Sequence, residues 1–204
     1  MTNIRNYKNA GLALLVPFVL AACQTTGPVV PSSGNVQYGD SKAVETVTTD
    51  YGSTDLQTMA EAMARSLSTS APITRARRTP VLTVQEVKNK TGEYIDTRAI
   101  TDTIRSQLLK GGGIAFATDE AGMQGQVDEL TRQNQSGLYK KSTTKKIGNM
   151  VGADYRLEGS IISIVKRAGD IKDVYYKLSL QLINIESGLI EWADEKDIRK
   201  TAKR

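Results

Sequence analysis

The sequence predicts a single mixed-sheet α/β domain that follows a flexible N-terminal segment. Apolar residues recur at helical spacing in several segments after residue 53, and strict alternation of apolar and polar residues marks the last third of the chain. Short runs rich in β-branched residues between these segments are typical of strands. The predicted order is α-β-α-β-α-α-β-β-β, which favours helices packed against one sheet.

The first helix is predicted in TDLQTMAEAMARSL, beginning at Thr54. Thr54 and Gln57 have the spacing of a capping box, in which two side chains satisfy free backbone groups at a helix start. The inward stripe follows the helical period and comprises Leu56, Met59, Ala60, Met63 and Leu67. The next segment, PVLTVQEV at residues 80–87, predicts a strand because β-branched residues favour extended backbone.

The second helix is predicted to begin after Asp96, whose carboxylate can cap the first backbone N–H groups. Ile95 can pack on Ile100 across this cap. The buried stripe comprises Ile100, Ile104 and Leu108. Three glycines at 111–113 then precede the short strand IAFA. A phosphate-binding loop needs the reverse order, with the helix after the glycines, so these glycines are predicted to end the helix.

A third helix is predicted from Thr118, because Asp119 and Glu120 place negative charge where a helix start favours it. Its expected inward residues are Met123, Val127 and Leu130. A fourth, shorter helix is predicted over residues 142–151, ending at Gly152.

The last third of the chain predicts antiparallel strands. In VYYKLSLQLIN, residues 174–184, every second side chain is apolar, which is the pattern of a strand with one buried face. The predicted buried residues are Val174, Tyr176, Leu178, Leu180 and Leu182. YRLEGSIISIV, residues 155–165, predicts the neighbouring strand, and LIEW predicts a third strand that ends at Trp192.

The N-terminal segment has the pattern of a bacterial export signal. Arg5 and Lys8 precede an uncharged run, residues 9–23, which Pro17 interrupts. A membrane-spanning helix needs about 20 apolar residues, so this run is too short to cross a bilayer. A basic start, an apolar middle and small residues at the end describe a signal peptide. We favour that interpretation over a membrane span and over a core helix with an incidental cysteine.

The run ends in Leu20-Ala21-Ala22-Cys23, which resembles the lipobox of bacterial lipoproteins. In such proteins the peptidase cuts before the cysteine, and the thiol, a strong nucleophile as thiolate, carries a diacylglyceryl group. Because Gln24 rather than Asp follows, the resemblance implies sorting to the outer membrane. The predicted organisation is a signal peptide at 1–22, a lipidated flexible tether at 23–53 whose last part can lie against the domain, and a periplasmic α/β domain at 54–204.

The composition argues against several function classes. Without Arg5 and Lys8 the formal net charge falls from +5 to +3, which fits a soluble domain better than a nucleic-acid binder. The chain has no histidine, which is the commonest general base and neutral metal ligand, and no serine lies in a G-x-S-x-G motif. We therefore predict a non-enzyme with no metal, no small-molecule substrate and no cofactor besides the lipid on Cys23.

Binding to a protein partner is the remaining class. Tyr and Arg are over-represented at energetically important interface positions. Two polar segments, KNKTGEYIDTR at 88–98 and SGLYKKSTTKK at 136–146, carry such residues beside lysines. The predicted partner-binding residues are Lys88, Lys90, Tyr94, Arg98, Tyr139, Lys140 and Lys141. Taken singly, each also fits a solvated loop.

Three stretches carry a family resemblance as a set. They are VKNKTGEYIDTRAITDTIRSQLLKGGGIAFAT, KKIGNMVGADYRLEGSI and LQLINIESGLIEWADE, in this order behind a lipobox. The sequence resembles the LpoB family of penicillin-binding-protein activators over roughly residues 54–199. The N-K-T loop, the G-A-D-Y entry to a strand and the S-G-x-I-x-W hairpin are the motifs of this resemblance.

The resemblance implies an outer-membrane lipoprotein whose periplasmic domain docks on a class A penicillin-binding protein, a bifunctional glycosyltransferase and transpeptidase. It implies docking on a regulatory module between the two catalytic domains, and a fold like the N-terminal domain of TolB. The alternative from another class is a structural or assembly lipoprotein of an envelope or export complex, because TolB-like and curli-export lipoproteins share related folds.

The lipobox gives a first prediction. Cys23→Ser should abolish lipid attachment and leave an unprocessed or soluble product, because serine has no thiol to alkylate. Metabolic labelling with a tagged palmitate measures the attachment. Label incorporated into the serine variant as strongly as into the wild-type chain would contradict the prediction.

Overall fold

The computed structural model describes residues 39–203, and its compact unit begins at Asp40. The predicted signal peptide, Cys23 and the first part of the predicted tether lie outside the described residues. Within 39–203, no helix combines the length and the apolarity that crossing a membrane requires. The elements are α1 (Ser53–Ser68), α2 (Ala71–Thr74), β1 (Val81–Val84), β2 (Lys88–Lys90), α3 (Thr97–Gly111), β3 (Ala115–Phe116), α4 (Glu120–Gln135), β4 (Tyr155–Ala168), β5 (Ile171–Asn184) and β6 (Ile190–Lys203).

The strands form one mixed sheet in the order β3-β1-β4-β5-β6, with β2 also paired to β4. β1 runs parallel to β3 and β4, and β2 runs parallel to β4. β4, β5 and β6 form an antiparallel meander of three strands of 14 residues each. The predicted fold class, a single mixed-sheet α/β domain with helices packed on the sheet, is confirmed.

One face of the sheet is the core face, against which α1 and α3 pack. All five alternating residues predicted on β5 are buried there, including Tyr176 at 1% exposure. The stripes of α1 and α3 meet them, with Met59, Leu67 and Ile104 each at 2% exposure or less. The apolar stripes of α1 and α3 and the apolar face of β5 therefore form one buried layer.

The helix starts differ in how well the sequence predicted them. For α3 the prediction is confirmed, because the Asp96 carboxylate accepts hydrogen bonds from the N–H groups of Arg98 (3.0 Å) and Ala99 (3.3 Å). For α1 the predicted pair Thr54–Gln57 is wrong. The helix begins one residue earlier, and the Asp55 carboxylate accepts from the Gly52 N–H at 2.9 Å. The glycines after α3 end it as predicted, with Gly112 in the left-handed region at φ 71°.

The predicted strand 80–87 is shorter in the structure, where β1 ends at Val84 and the separate strand β2 begins at Lys88 after a bulge. Val84 pairs with Leu157, and Lys88 pairs with Ser160, so four steps on one strand face three on β4. The extra residue lets Val87 turn into the core, where its N–H donates to the Thr101 hydroxyl at 3.2 Å. Lys88 and Lys90, predicted in a loop, therefore lie on a strand, and their side chains share the face opposite the core.

The predictions for α4 and the residues after it are partly wrong. Leu130 is buried at 8% exposure, but Met123 (41%) and Val127 (44%) are exposed, because α4 makes no extended contact with the other described helices and strands. The predicted fourth helix over 142–151 is a series of turns with Gly148 at φ 87°. Isolated helices shorter than about 12–15 residues are marginal in water, and side chains of α4 bind the backbone of Lys145 in its non-helical conformation.

The third strand of the meander is much longer than predicted. β6 continues past Trp192 to Lys203 through the charged run, since its charges have partners on both faces. On the core side, Lys200 forms an ion pair with Asp55 of α1, and on the other side Glu195 pairs with Lys177 of β5. A charged edge strand also resists pairing with another chain.

The close contact of β4 and β5 at Gly159 gives a second prediction. A Cβ atom on Gly159 would lie 2.1 Å from the Ser179 carbonyl oxygen and 2.5 Å from a Leu180 methyl carbon. Gly159→Ala should therefore lower the free energy of unfolding by about 1–3 kcal/mol, the usual cost of overpacking. Urea unfolding followed by circular dichroism measures it.

Gly125→Ala is the matched control for that experiment. Gly125 lies inside α4 with no atom within 4 Å of an added Cβ, so alanine should be neutral or stabilising by about 0.5–1 kcal/mol. Equal unfolding midpoints for the two variants would contradict the steric argument.

Candidate partner-binding site

The face of the sheet opposite the core, here called the open face, is polar beside β2, whereas Ile164 of β4 is 51% exposed farther along it. The side chains of β4, β5 and β6 on this face are half-buried or exposed, and Lys88 and Lys90 of β2 lie at its edge. The two lysines line a shallow groove of about 630 Å³, whose other polar lining residues are Glu158, Ser160, Ser179, Gln181, Asp194 and Glu195. A surface of this kind suits polar contacts with a partner.

The acidic groups of this groove already have partners. Glu158 accepts from Arg156 Nε at 3.0 Å and from the Gln181 amide at 2.8 Å. Glu195 accepts from Lys177 Nζ and the Ser179 hydroxyl, both at 3.1 Å. By contrast, no carboxylate among the described side chains lies within 4.0 Å of the ammonium groups at positions 88 and 90. These two cations are free to attract acidic groups of a partner.

The turn after β2 presents Tyr94 to solvent on an ordered backbone. The Asn89 side chain accepts from the Thr91 N–H at 2.9 Å and donates to the Glu93 carbonyl at 2.9 Å, which closes the turn on itself. The Tyr94 side chain is 92% exposed, while its neighbour Ile95 is buried in the core. A large exposed aromatic ring on a pre-organised turn has the features of an interface anchor, because little conformational entropy is lost on binding.

A cluster of the buried Tyr176 with the half-buried Tyr51 and Glu93 ties this turn to the domain. The Tyr176 hydroxyl donates to the Glu93 carboxylate and lies 3.0 Å from the Thr49 carbonyl. The Tyr51 ring packs edge-on against the Tyr176 ring with centroids 5.6 Å apart. The backbone N–H of Tyr51 donates to the Glu93 carboxylate at 3.5 Å. Burial raises the pKa of Tyr176, and its hydrogen bond to Glu93 raises that pKa further. Burial also raises the pKa of Tyr51.

The same cluster binds the end of the predicted tether. Residues 40–52, here called the strap, lie on the domain, so the compact unit begins before the predicted boundary at residue 54. Lys172 Nζ donates to the Thr49 hydroxyl at 2.7 Å, and Lys200 Nζ donates to the Asp50 carbonyl at 2.7 Å. Glu45 accepts from the Ser53 hydroxyl at 2.9 Å, which joins the strap to the start of α1.

The predicted binding residues occupy different places. Lys88 and Lys90 line the groove on the open face, whereas Arg98 lines a second groove beside Arg105 and Asp119 on the other side of α3. The rest, Tyr139, Lys140 and Lys141, lie in the turns after α4 and line neither groove. All seven are exposed, and the exposed fraction of the Tyr139 side chain is 40%.

Residues 55–198, more than half of the chain, match the sequence profile of the family described as Peptidoglycan-synthase activator LpoB. The chain belongs to the LpoB family. Membership in a family of synthase activators agrees with a regulatory rather than a catalytic role. The segment matched covers the turn with Tyr94, the open face and the turns after α4, so all seven predicted binding residues fall within it.

Solved structures of LpoB are among those similar to this chain. The C-terminal domain of LpoB from Escherichia coli is 18% identical, with a TM-score of 0.44, and the match covers 71% of this chain and 98% of that one. The same domain from Salmonella enterica is 18% identical with a TM-score of 0.43 and the same coverage. Lipoprotein GNA1162 from Neisseria meningitidis is 13% identical, with a TM-score of 0.39, covering 60% of this chain and 84% of that one. A search of curated proteins finds no match.

Sequence reasoning missed the residues that hold the Tyr94 turn in place. Glu93 was passed over between two predicted binding residues, and Tyr51 lay in the predicted tether. One signal was present in the sequence. Tyr176 was predicted on a buried strand face, and a buried tyrosine hydroxyl usually requires a hydrogen-bond partner from another segment.

The tyrosine cluster gives a third prediction. Tyr176→Phe should lower the free energy of unfolding by about 1–3 kcal/mol, because the Glu93 carboxylate loses its buried donor. Tyr51→Phe is the matched control: the Tyr51 hydroxyl is buried without a hydrogen-bond partner among the described residues, so its removal should be neutral or stabilising. Denaturant unfolding near neutral pH measures both.

The same two residues set a dependence on alkaline pH. A pKa raised above the ordinary tyrosine value of 10.0 means that the folded state favours the protonated hydroxyl. That contribution to stability is complete below pH 10.0 and is lost as the pH rises above it, toward the pKa of the folded state. The wild-type protein should therefore lose stability above this pH more steeply than Tyr51→Phe. Parallel pH profiles would show that Tyr51 ionises equally in both states.

Proposed function

We propose that this chain is an outer-membrane lipoprotein that binds a class A penicillin-binding protein and activates it by contact, thereby regulating peptidoglycan synthesis. The family match over residues 55–198 carries the proposal. The docking site on the synthase is a regulatory module between its glycosyltransferase and transpeptidase domains. The lipid on Cys23 anchors the chain with its domain in the periplasm.

The Tyr94 turn and the neighbouring lysines are the contact surface proposed for the synthase. Tyr94 supplies an exposed ring on an ordered turn, and Lys88 and Lys90 supply cations without carboxylate partners among the described side chains. Tyrosine is enriched among the residues that carry binding energy at protein interfaces, and charges at the rim around such an anchor contribute orientation and association rate.

The strap shortens the reach of the anchored domain. The predicted tether outside the compact unit runs only from Cys23 to Gly39, because that unit begins at Asp40. That stretch spans at most roughly 60 Å fully extended, and its root-mean-square length as a flexible coil is about 23 Å. The synthase must therefore present its regulatory module within this distance plus the length of the folded domain from the outer membrane.

Activation by contact requires a difference in affinity between two states of the synthase. A regulator can raise the population of the active state only by as much as it binds that state more tightly. Such coupling is typically about 1–3 kcal/mol, or roughly 5- to 150-fold. The domain therefore needs no reacting group of its own.

A reconstituted assay gives the fourth prediction. The chain from Gln24 to Arg204, added to its own organism's synthase and lipid-linked precursor, should accelerate glycan polymerisation saturably near an equimolar ratio. Alone it should form no glycan and cleave no peptide. Product formed by the chain alone, or a flat titration with the synthase, would overturn the proposal.

The same assay locates the contact. Tyr94→Ala should raise the concentration needed for half-maximal activation by roughly tenfold or more, as the loss of an interface anchor does. Leu189→Ala is the matched control, because Leu189 is 64% exposed in the turn after β5, about 27 Å along the strand from Tyr176. An equal loss in both variants, or none in Tyr94→Ala, would move the interface elsewhere.

A further inference from the structure

The residues after α4 combine positive charge with an absence of acids. Between Glu129 and Asp154 the sequence has no Asp or Glu, yet it carries Arg132 and four lysines. We call residues 137–152 the basic segment; its lysines are Lys140, Lys141, Lys145 and Lys146. All four are exposed, and none of the described carboxylates lies within 4.0 Å of their ammonium groups.

Large apolar side chains are exposed among these lysines. Leu138 is 84% exposed, Val151 68% and Ile147 66%. Val127 and Leu130 of α4 form, together with Ile147 and Met150, an apolar groove of about 280 Å³ that is separate from the main core. An apolar patch left in water beside a concentration of one charge marks a binding surface rather than a neutral part of the molecule.

The basic segment has a defined shape because α4 holds it. The Asn134 side chain donates to the Lys145 carbonyl at 2.9 Å, and the Gln133 side chain accepts from the Lys145 N–H at 3.1 Å. The hydroxyls of Thr143 and Thr144 donate to the carbonyls of Lys140 and Lys141, each at 3.0 Å. These bonds occupy backbone groups and leave the lysine side chains free to contact a charged surface.

The chemistry of this surface fits a phospholipid layer better than a protein. Interfaces between proteins are depleted of lysine at their cores and enriched in arginine, whereas the basic segment has four lysines and no arginine. Lysines interleaved with apolar side chains are typical of surfaces that bind anionic lipid, in which ammonium groups meet headgroup phosphates and apolar side chains enter the acyl boundary.

We propose that the basic segment docks the domain on an anionic phospholipid surface, and that Tyr139, Lys140 and Lys141 serve this contact rather than the synthase. The proposal goes beyond the synthase contact and uses the position of the predicted anchor Cys23, which lies only 17 residues before the start of the compact unit at Asp40. A short tether raises the effective concentration of a domain near its membrane to about the millimolar range, so a weak intrinsic affinity for lipid is sufficient.

Vesicle binding tests this surface directly. The chain from Gln24 to Arg204, without the anchor cysteine, contains the whole described core and is used with circular dichroism as a check on folding. It should co-sediment with vesicles of phosphatidylethanolamine and phosphatidylglycerol, and binding should fall as salt is raised. It should bind vesicles of phosphatidylcholine alone much more weakly. No binding to anionic vesicles at low salt, or equal binding to both compositions, overturns the proposal.

Two variants with opposite expectations complete the test. The quadruple variant Lys140→Gln, Lys141→Gln, Lys145→Gln and Lys146→Gln should lose about tenfold or more in vesicle affinity while activating the synthase normally in detergent. The control, Lys88→Gln with Lys90→Gln, should bind vesicles like the wild-type chain. If the quadruple variant keeps its vesicle affinity, or loses synthase activation instead, the segment serves a protein partner. Failure of activation in every variant would count against the proposed function and leave the vesicle result intact.

Discussion

The hydroxyl of Tyr176 is buried on the core face of β5, and its need for hydrogen-bond partners organises one end of the domain. It takes Glu93 from the turn that presents Tyr94, and it lies beside the Thr49 carbonyl of the strap. The turn and the strap are far apart in sequence, yet this one side chain contacts both. The position of Tyr176 is itself fixed, because the other buried residues of β5 pack against α1 and α3.

The domain presents two candidate binding surfaces that differ in chemistry. The open face with its adjoining turn offers balanced charges, two free cations and one aromatic ring, which suits a folded partner. The basic segment offers lysines and apolar side chains with no acid among them, which suits a lipid layer. The two lie on different elements, β2 with its turn and the residues after α4, so a change in one can be made without disturbing the other.

The parts of the fold that could be predicted are those that a local sequence pattern decides, either a periodic pattern of apolar residues or a helix cap. Strict alternation predicted the buried residues of β5, and Asp96 predicted the start of α3. The rest depends on contacts that no local pattern contains. The stripe of α4 shows that Met123 and Val127 share a face but not that another element covers it. The bulge before Lys88 adds one residue without any glycine or proline to mark it, and the charges of β6 conceal a strand because their partners lie on other strands and on α1.

The strap also stores chain length. It is held by side-chain hydrogen bonds and ion pairs at Thr49, Asp50 and Glu45 rather than by a strand ladder, so a force applied at its N-terminal end would break these contacts one after another. Release of residues 40–52 would add roughly 40–45 Å of extended chain before any load reached α1. Tension along the periplasm could thus lengthen the chain by releasing the strap. The Tyr176 hydroxyl, which binds Glu93 in the Tyr94 turn, would then lose its contact with Thr49.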